Sequence, residues 1–183
     1  QHFPARFLRT PADGDAPSGA DTSCMSVSTQ PELEFDELRP PLTSAEALVE
    51  ADRCLECGGP HAPAPCAVAC PAGVDVARFV TQIADGNPKA AATTILADNI
   101  LGGTCARVCP VEVLCEGACV LEYEGRPPIA IGALQRYAMD RFFEQGLPIR
   151  TKAPANGRRV VVIGAGPSGL ACAGELASSG YEV

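Results

Sequence analysis

Eight cysteines between residues 54 and 119 limit what this chain can fold around more than any other feature. They occur in the order Cys54-x2-Cys57-x8-Cys66-x3-Cys70-Pro71 and then Cys105-x3-Cys109-Pro110-x4-Cys115-x3-Cys119. A four-iron cluster is held by about four cysteine thiolates, and a cysteine followed by proline is typical of the bacterial ferredoxin motif. The spacing therefore predicts two [4Fe–4S] clusters.

Zinc and disulfide bonds are the alternative uses of these cysteines. Zinc sites favour two Cys-x2-Cys pairs, or such a pair combined with histidines, whereas here only Cys54 and Cys57 form one and the only histidines are His2 and His61. Disulfide frameworks are typical of exported proteins, and no basic segment followed by an apolar run begins the sequence. We therefore predict iron–sulfur clusters and a cytoplasmic location. A non-catalytic zinc-binding scaffold is the hypothesis from a different class.

Charge and hydropathy argue against two further classes of protein. The net charge is −8 and the isoelectric point is about 4.7, whereas a nucleic-acid-binding surface would be basic. Apolar stretches all fall short of the roughly 18 residues that a membrane span needs. We therefore expect neither a nucleic-acid partner nor a membrane span.

Composition and periodicity predict a mainly α protein with four regions. Residues 1–40, rich in Pro, Gly, Ala, Ser and Asp, are expected to form a flexible extension in which Cys24 is an incidental thiol. Residues 41–146 are expected to form a helical domain wrapped around both clusters, and residues 147–157 a linker. Residues 158–183 are expected to begin a Rossmann-like domain that is incomplete without further strands, so we expect either a fragment or an ordered part that ends there.

The helical domain is predicted to contain four helices, separated by glycine and proline. In chain order, the predictions are residues 45–55, capped by Thr43 or Ser44 and stopped by Gly58-Gly59; a helix marked by Val74, Phe79, Val80 and Ile83 that ends at Gly86; residues 88–98, after which Gly102-Gly103 breaks the chain; and Ile131–Gln145, with Leu134, Ala138, Phe142 and Gln145 on one face.

A glycine-rich turn follows the linker, in the order Val160-Val-Val-Ile-Gly164-x-Gly166-x-x-Gly169. We predict a strand over residues 158–163, the turn, and a helix over residues 167–179. In such motifs the first glycine permits a tight turn, the second lets the backbone approach a pyrophosphate, and the third lets the helix pack closely. The acidic residue that would hold the ribose lies beyond residue 183, so the turn leaves FAD and NAD(P) both open. The predicted cofactor-binding residues are Gly164, Gly166, Pro167, Ser168 and Gly169.

The sequence resembles a family of flavin oxidoreductases over residues 35–183. The family includes the NAD(P)H-oxidising part of dihydropyrimidine dehydrogenase and the small subunit of glutamate synthase, and the first of these branches is the nearer. The resemblance is carried by the segments LTSAEALVEADRCLEC, LGGTCARVCPVEVLCEGACV, PIAIGALQRYAMD and VVVIGAGPSGLACAGELASSGYEV.

The resemblance implies how two interleaved clusters would be ligated. One [4Fe–4S] cluster would be held by Cys54, Cys57, Cys66 and Cys119, and the other by Cys70, Cys109, Cys115 and Gln135. Gln135 matches an amide ligand of the dihydropyrimidine dehydrogenases, where the glutamate synthase branch tends to have Glu. A neutral oxygen in place of a thiolate makes a cluster less negative and raises its reduction potential.

Two details of this ligand set stay open. Cys105 is the alternative fourth ligand of the second cluster, in which case Gln135 would be a packing or surface residue. The eight residues between Cys57 and Cys66 are more than the family has, and we expect a loop there with His61 facing solvent rather than binding metal.

The resemblance also implies an electron-input role in a longer enzyme. Electrons would pass from NAD(P)H through FAD and the two clusters to a partner subunit or domain that carries FMN, further iron–sulfur clusters, or both. That partner would reduce uracil or thymine in one branch and make glutamate in the other, and a ferredoxin or hydrogenase partner is a further option. No catalytic residue is expected in this chain, which alone would be inactive. Cys105 and Cys172 are expected to be structural, with Cys172 packed in the core.

Overall fold

The computed structural model describes residues 37, 39–59 and 62–183, in which the only regular secondary structure is helical. The prediction of a mainly α protein is therefore confirmed for the described residues, and none of their helices is long and apolar enough to cross a bilayer. Cys24 and His61 lie outside the described residues. The helices are α1 (Ser44–Asp52), α2 (Pro65–Val68), α3 (Val76–Ala84), α4 (Pro88–Asp98), α5 (Gly102–Val108), a 3₁₀ helix (Val111–Val113), α6 (Val120–Tyr123), α7 (Ile131–Glu144) and α8 (Pro167–Ser178).

Polar side chains fix where the first long helices begin. At α1 the Thr43 hydroxyl accepts a hydrogen bond from the Glu46 amide at 3.3 Å, and the Glu46 carboxylate accepts one from the Thr43 amide at 2.8 Å. This reciprocal capping box satisfies two backbone donors that the helix itself leaves free. At α3 and α4 the N-cap residues Asp75 and Asn87 each accept one backbone hydrogen bond through a side-chain oxygen, without the reciprocal bond seen at α1. The predicted N-cap of α1 is thus confirmed, but the helix ends at Asp52 rather than at residue 55.

The hydrophobic core lies where α3, α4 and α7 pack against one another. Apolar side chains spaced three or four residues apart put one face of each helix into this core. The predicted face of the second helix is confirmed, and that of the fourth is confirmed except at Gln145, which is exposed and follows the end of the helix. The buried members include Phe79, Val80, Ile83, Ile95, Leu96, Leu134, Ala138, Met139 and Phe142.

Gly102 and Gly103 begin a helix, whereas the sequence predicted a break in the chain at this point. A Cβ atom at Gly102 would lie 2.5 Å from Cγ2 of Ile95, and one at Gly103 would lie 2.7 Å from Cε2 of Phe143. Real Cβ atoms do not come this close to other atoms. The two glycines therefore allow the backbone of α5 to pack closely on α4 and α7, and the break falls instead at residues 99–101.

The predicted strand over residues 158–163 does not form among the described residues. A single parallel bridge joins Arg159 to Glu182, through hydrogen bonds from Val160 N to Glu182 O (2.8 Å) and from Glu182 N to Arg158 O (3.0 Å). Ile163 is 96% exposed, and no described segment pairs with the backbone at this residue. A strand needs a partner along its length, and here that partner is limited to one residue.

The helix predicted after the glycine turn is confirmed as α8, but Cys172 within it is exposed rather than buried. The residues of α8 are either exposed or only partly buried, because the helix touches the rest of the structure over a small area. Gly174 marks one contact, since a Cβ atom there would lie 2.6 Å from Cδ1 of Ile100.

Arg150, in the segment predicted to be a linker, joins α8 to α4. Its guanidinium donates to the carbonyl oxygens of Leu96 (3.2 Å) and Ala97 (2.9 Å) and pairs with the carboxylate of Glu175 on α8. A cation is favourable at this place because the carbonyls at the end of α4 carry partial negative charge. The residues from 39 onward accordingly belong to one compact unit.

The close approach at Gly102 leads to a prediction for Gly102→Ala. The added methyl group would collide with Ile95, so we expect the free energy of unfolding to fall by about 1–3 kcal/mol, as in other overpacked cores. Anaerobic urea titration measures the change. Thr104→Ala, an exposed position of the same helix, is the control and should unfold like the parent. Equal stability of Gly102→Ala and the parent would contradict this account of α5.

Candidate metal centre

Four of the predicted ligands line one cavity, although they come from three separate places in the chain. Cys54 and Cys57 lie in the loop after α1, Cys66 lies in α2, and Cys119 caps α6. All the other described residues that line this cavity are apolar, among them Val76 and Ile131. The four thiols are therefore the side chains of its described wall that could bind a metal.

The loop that carries the first cysteine pair depends on unusual backbone angles. Glu56 has a φ of 49° and Gly58 a φ of 107°, both in the left-handed region that favours glycine. A Cβ atom at Gly58 would lie 2.9 Å from the amide nitrogen of Ala64. The absence of a side chain at Gly58 thus lets the chain before α2 fold back against this loop, which brings Cys66 to the first pair.

The other four predicted ligands line a second cavity beside the first. Cys70 follows α2, Cys109 ends α5, Cys115 lies in the turn after the 3₁₀ helix, and Gln135 projects from α7. Val76 and Ile131 line both cavities, so the two sites are adjacent. Cys105 and Asn99 also line the second cavity, and the sequence analysis did not single out Asn99.

A tight backbone turn holds Cys115. The carbonyl oxygen of Val111 accepts hydrogen bonds from the amides of Glu116 (2.9 Å) and Gly117 (3.2 Å). A Cβ atom at Gly117 would lie 2.2 Å from the carbonyl oxygen of Glu112, so only glycine fits this turn. The Glu116 carboxylate accepts a hydrogen bond from the Gly132 amide at 2.9 Å and joins the turn to the start of α7.

The amide group of Gln135 is oriented by the backbone of α5. Its Nε2 donates a hydrogen bond of 2.7 Å to the carbonyl oxygen of Gly102. Because a carbonyl oxygen only accepts hydrogen bonds, the amide nitrogen must face it. The oxygen Oε1 is then the atom of this side chain that is left to bind a metal.

Burial raises the pKa of two thiols in each cavity, Cys54 and Cys66 in the first and Cys109 and Cys115 in the second. It raises the pKa of Cys66 to about 11 and that of Cys109 to about 11. It raises the pKa of Cys115 to about 12, with a further contribution from the adjacent Glu116 carboxylate. These four thiols therefore keep their protons near neutral pH until a metal cation replaces them.

The donor set fits iron–sulfur clusters. Thiolates are soft ligands of the kind these clusters require, and none of the nine described cysteines forms a disulfide. Within residues 37, 39–59 and 62–183, no three His, Cys, Asp or Glu side chains come close enough to hold a single metal ion. Two adjacent cavities lined by thiols, in a small helical fold, supply the donors that a cysteine-ligated metal-cluster protein needs.

The glycine turn has the backbone that its motif predicts. Gly164 has a φ of 108°, and a Cβ atom at Gly169 would lie 2.1 Å from the carbonyl oxygen of Gly164. A Cβ atom at Gly166, the N-cap of α8, would meet no described atom within 4 Å. Pro167 and Ser168 are the first residues of α8. The turn thus leaves open space in front of the N-terminus of this helix, and backbone amides at such a place can bind a phosphate.

Comparison with known proteins confirms the predicted resemblance. A family model described as dihydropyrimidine dehydrogenase domain II, 4Fe-4S cluster, matches residues 32–147, a range that contains all eight predicted ligands. The chain belongs to this family of [4Fe–4S] cluster domains.

Individual relatives come from two kinds of oxidoreductase. The chain is 43% identical over 149 residues to the NAD-dependent dihydropyrimidine dehydrogenase subunit PreT of Escherichia coli strain K12, which covers 81% of this chain and 35% of that protein. A PreT homologue of Salmonella typhi is 43% identical over 151 residues. The small chain of the NADPH-dependent glutamate synthase of Escherichia coli strain K12 is 37% identical over 151 residues, or 82% of this chain and 31% of that protein. The chain therefore spans about a third of the length of the curated relatives it matches.

The raised thiol pKa values predict that cluster assembly depends strongly on pH. The pKa of Cys66 rises from 9.0 to about 11, so iron has to displace a proton from this thiol at every pH below that value. Since metal binding then releases protons, we expect the iron affinity of the apoprotein to increase from about pH 6.5 to about pH 8.5 without reaching a plateau.

Anaerobic titration of the apoprotein with ferrous iron and sulfide, followed by the cluster absorbance, measures this affinity. Cys172→Ala, at an exposed position on α8, should show the same pH profile as the parent. An affinity that does not change over this pH range would show that the thiols are already ionised.

Proposed function

We propose that the chain is the electron-input part of an NAD(P)H-dependent flavin and iron–sulfur oxidoreductase, and that it holds two [4Fe–4S] clusters. Cys54, Cys57, Cys66 and Cys119 hold the first cluster. Cys70, Cys109, Cys115 and Gln135 hold the second. The observation that carries the proposal is that these eight residues, widely separated in sequence, line two adjacent cavities.

The residues of the chain keep the two clusters close together and shielded from water. Apolar side chains form much of the wall of each cavity, and Val76 and Ile131 are common to both. The clusters, when bound, supply one-electron transfer, while the protein sets their separation, solvent access and ligand charge. The neutral Oε1 of Gln135 leaves the second cluster with less negative charge than four thiolates would give it.

FAD is the proposed electron donor to the clusters, and the glycine turn is the part of its site that this chain contains. The open backbone at Gly166 supports this assignment, because a pyrophosphate needs close access to the amides at the start of α8. The contacts of Arg150 with α4 and α8 tie the proposed flavin turn to the helix that ends beside the second cavity. NAD(P)H would bind to a part of the protein beyond this chain.

The proposed acceptor is a partner subunit or domain that carries FMN, further iron–sulfur clusters, or both. We propose a pyrimidine-reducing partner for two reasons. The chain is 43% identical to a dihydropyrimidine dehydrogenase subunit, and it has glutamine at position 135. A glutamate synthase partner is the second candidate, favoured by 37% identity to the small chain of that enzyme.

The cluster assignment predicts the outcome of Gln135→Ala. Anaerobically purified parent protein should contain about eight irons and eight acid-labile sulfides per chain and show two [4Fe–4S] centres by EPR after dithionite reduction. Gln135→Ala should lose or alter only one of these centres. Gln145→Ala, an exposed position just after the same helix, is the control and should retain both. Zinc in place of iron and sulfide in the parent would refute the proposal.

The flavin assignment predicts the outcome of Gly166→Ala in the full-length protein. The methyl group meets no described atom within 4 Å, so thermal stability without flavin should fall only slightly, through the less favourable N-cap. Crowding of the pyrophosphate should weaken FAD binding by roughly tenfold or more. Flavin fluorescence titration measures the affinity, with Ser179→Ala at the far end of α8 as the control. Equal FAD affinity in the parent and Gly166→Ala would show that the turn does not approach the cofactor.

A further inference from the structure

Cys105 is a thiol in the second cavity that the proposed ligand set does not use. It lines this cavity together with Cys70, Cys109 and Cys115, so it lies within reach of whatever the cavity holds. Its role follows from its contacts with Asn99 and Cys109, and the inference drawn from them rests on the proposed function of the second cavity.

The side chain of Asn99 is fixed at both ends of its amide group. Its Oδ1 accepts a hydrogen bond from the Leu101 amide at 3.0 Å, which leaves the nitrogen Nδ2 to face the other way. That nitrogen donates a hydrogen bond of 3.2 Å to Sγ of Cys105. The backbone turn after α4 therefore determines that Cys105 receives an N–H donor.

Cys105 and Cys109 lie one helical turn apart, since the amide of Cys109 donates to the carbonyl oxygen of Cys105 at 3.1 Å. Side chains four residues apart lie on the same face of a helix. Both thiols line the second cavity, so their sulfur atoms face the same space. Cys105 thus stands between the amide of Asn99 on one side and a proposed cluster ligand on the other.

We infer that Cys105 is not a ligand of the second cluster but a positioning residue that donates its S–H to the Cys109 sulfur, while Asn99 holds it in place. A hydrogen bond to a ligand sulfur withdraws negative charge from the cluster and stabilises the reduced state, which raises the reduction potential. This arrangement acts in the same direction as the neutral Gln135 oxygen. It also explains why a fourth thiol can line the cavity without displacing the amide ligand.

The test compares Cys105→Ala with Cys105→Ser in the cluster-loaded protein. Iron and sulfide are determined first, and the potential of each centre is then measured by anaerobic redox titration followed by EPR. The signal that Gln135→Ala alters identifies the second centre. Cys172→Ala, which removes an exposed thiol outside both cavities, is the matched control.

We expect Cys105→Ala to keep the iron, sulfide and both EPR signals of the parent. The potential of the second centre should shift to a lower value, and that of the first centre should stay unchanged. Cys105→Ser should restore the potential of the parent or exceed it, because a hydroxyl is a better donor than a thiol. Asn99→Ala should shift the same centre in the same direction as Cys105→Ala, because Cys105 is then no longer held against Cys109.

Three results would overturn the inference, and they can be told apart. Loss of one centre in Cys105→Ala would show that Cys105 is a ligand. Two intact centres with potentials equal to those of the parent would show that Cys105 donates no hydrogen bond to the cluster, while leaving the proposed function in place. Parent protein without iron and sulfide would refute the proposed function itself.

Discussion

The division of closely spaced cysteines between two cavities is the constraint on which the rest of the structure depends. Cys66 lines the first cavity and Cys70 the second, although only three residues separate them, and Cys119 and Cys115 are divided in the same way. A short turn of chain can reach both cavities only if these are adjacent. The shared wall formed by Val76 and Ile131 is the consequence, and the packing of α3, α4 and α7 holds the two turns in place around it.

The cysteine sites and the hydrophobic core form one continuous structure. Five of the cysteines are partly buried and pack directly against the core. Burial raises the pKa of Cys54, Cys66 and Cys115 and so keeps these thiols in the neutral form. Exchange of their protons for iron would extend the core with an inorganic centre. Cluster binding and folding are then coupled, because the same contacts serve both. The cysteines that belong to this group are Cys54, Cys66, Cys70, Cys115 and Cys119.

The sequence predicted those parts of the fold that depend on local pattern. The periodic faces of α3 and α7 and the N-cap of α1 are local signals, and all eight predicted ligands line the two cavities. The start of α5 was missed because glycine has low helix propensity. At Gly102, however, the helix packs so closely against Ile95 that no larger residue fits. Asn99 gave no signal, since its contact with Cys105 exists only after the chain has folded. The strand over residues 158–163 was wrong because a pattern of apolar residues cannot supply the partner that a strand requires.

The turn between α4 and α5 makes the two cavities electrically different. The carbonyl oxygen of Gly102 binds the amide nitrogen of Gln135, and the amide of Leu101 binds the amide oxygen of Asn99. Each side chain therefore has one end held by the backbone, so that Gln135 is left with an oxygen and Asn99 with an N–H donor at the second cavity. The described wall of the first cavity offers only thiols and apolar groups. A neutral ligand and an added hydrogen bond would both favour the reduced state. We therefore expect the proposed second cluster to have the higher potential of the two, for reasons set by backbone packing.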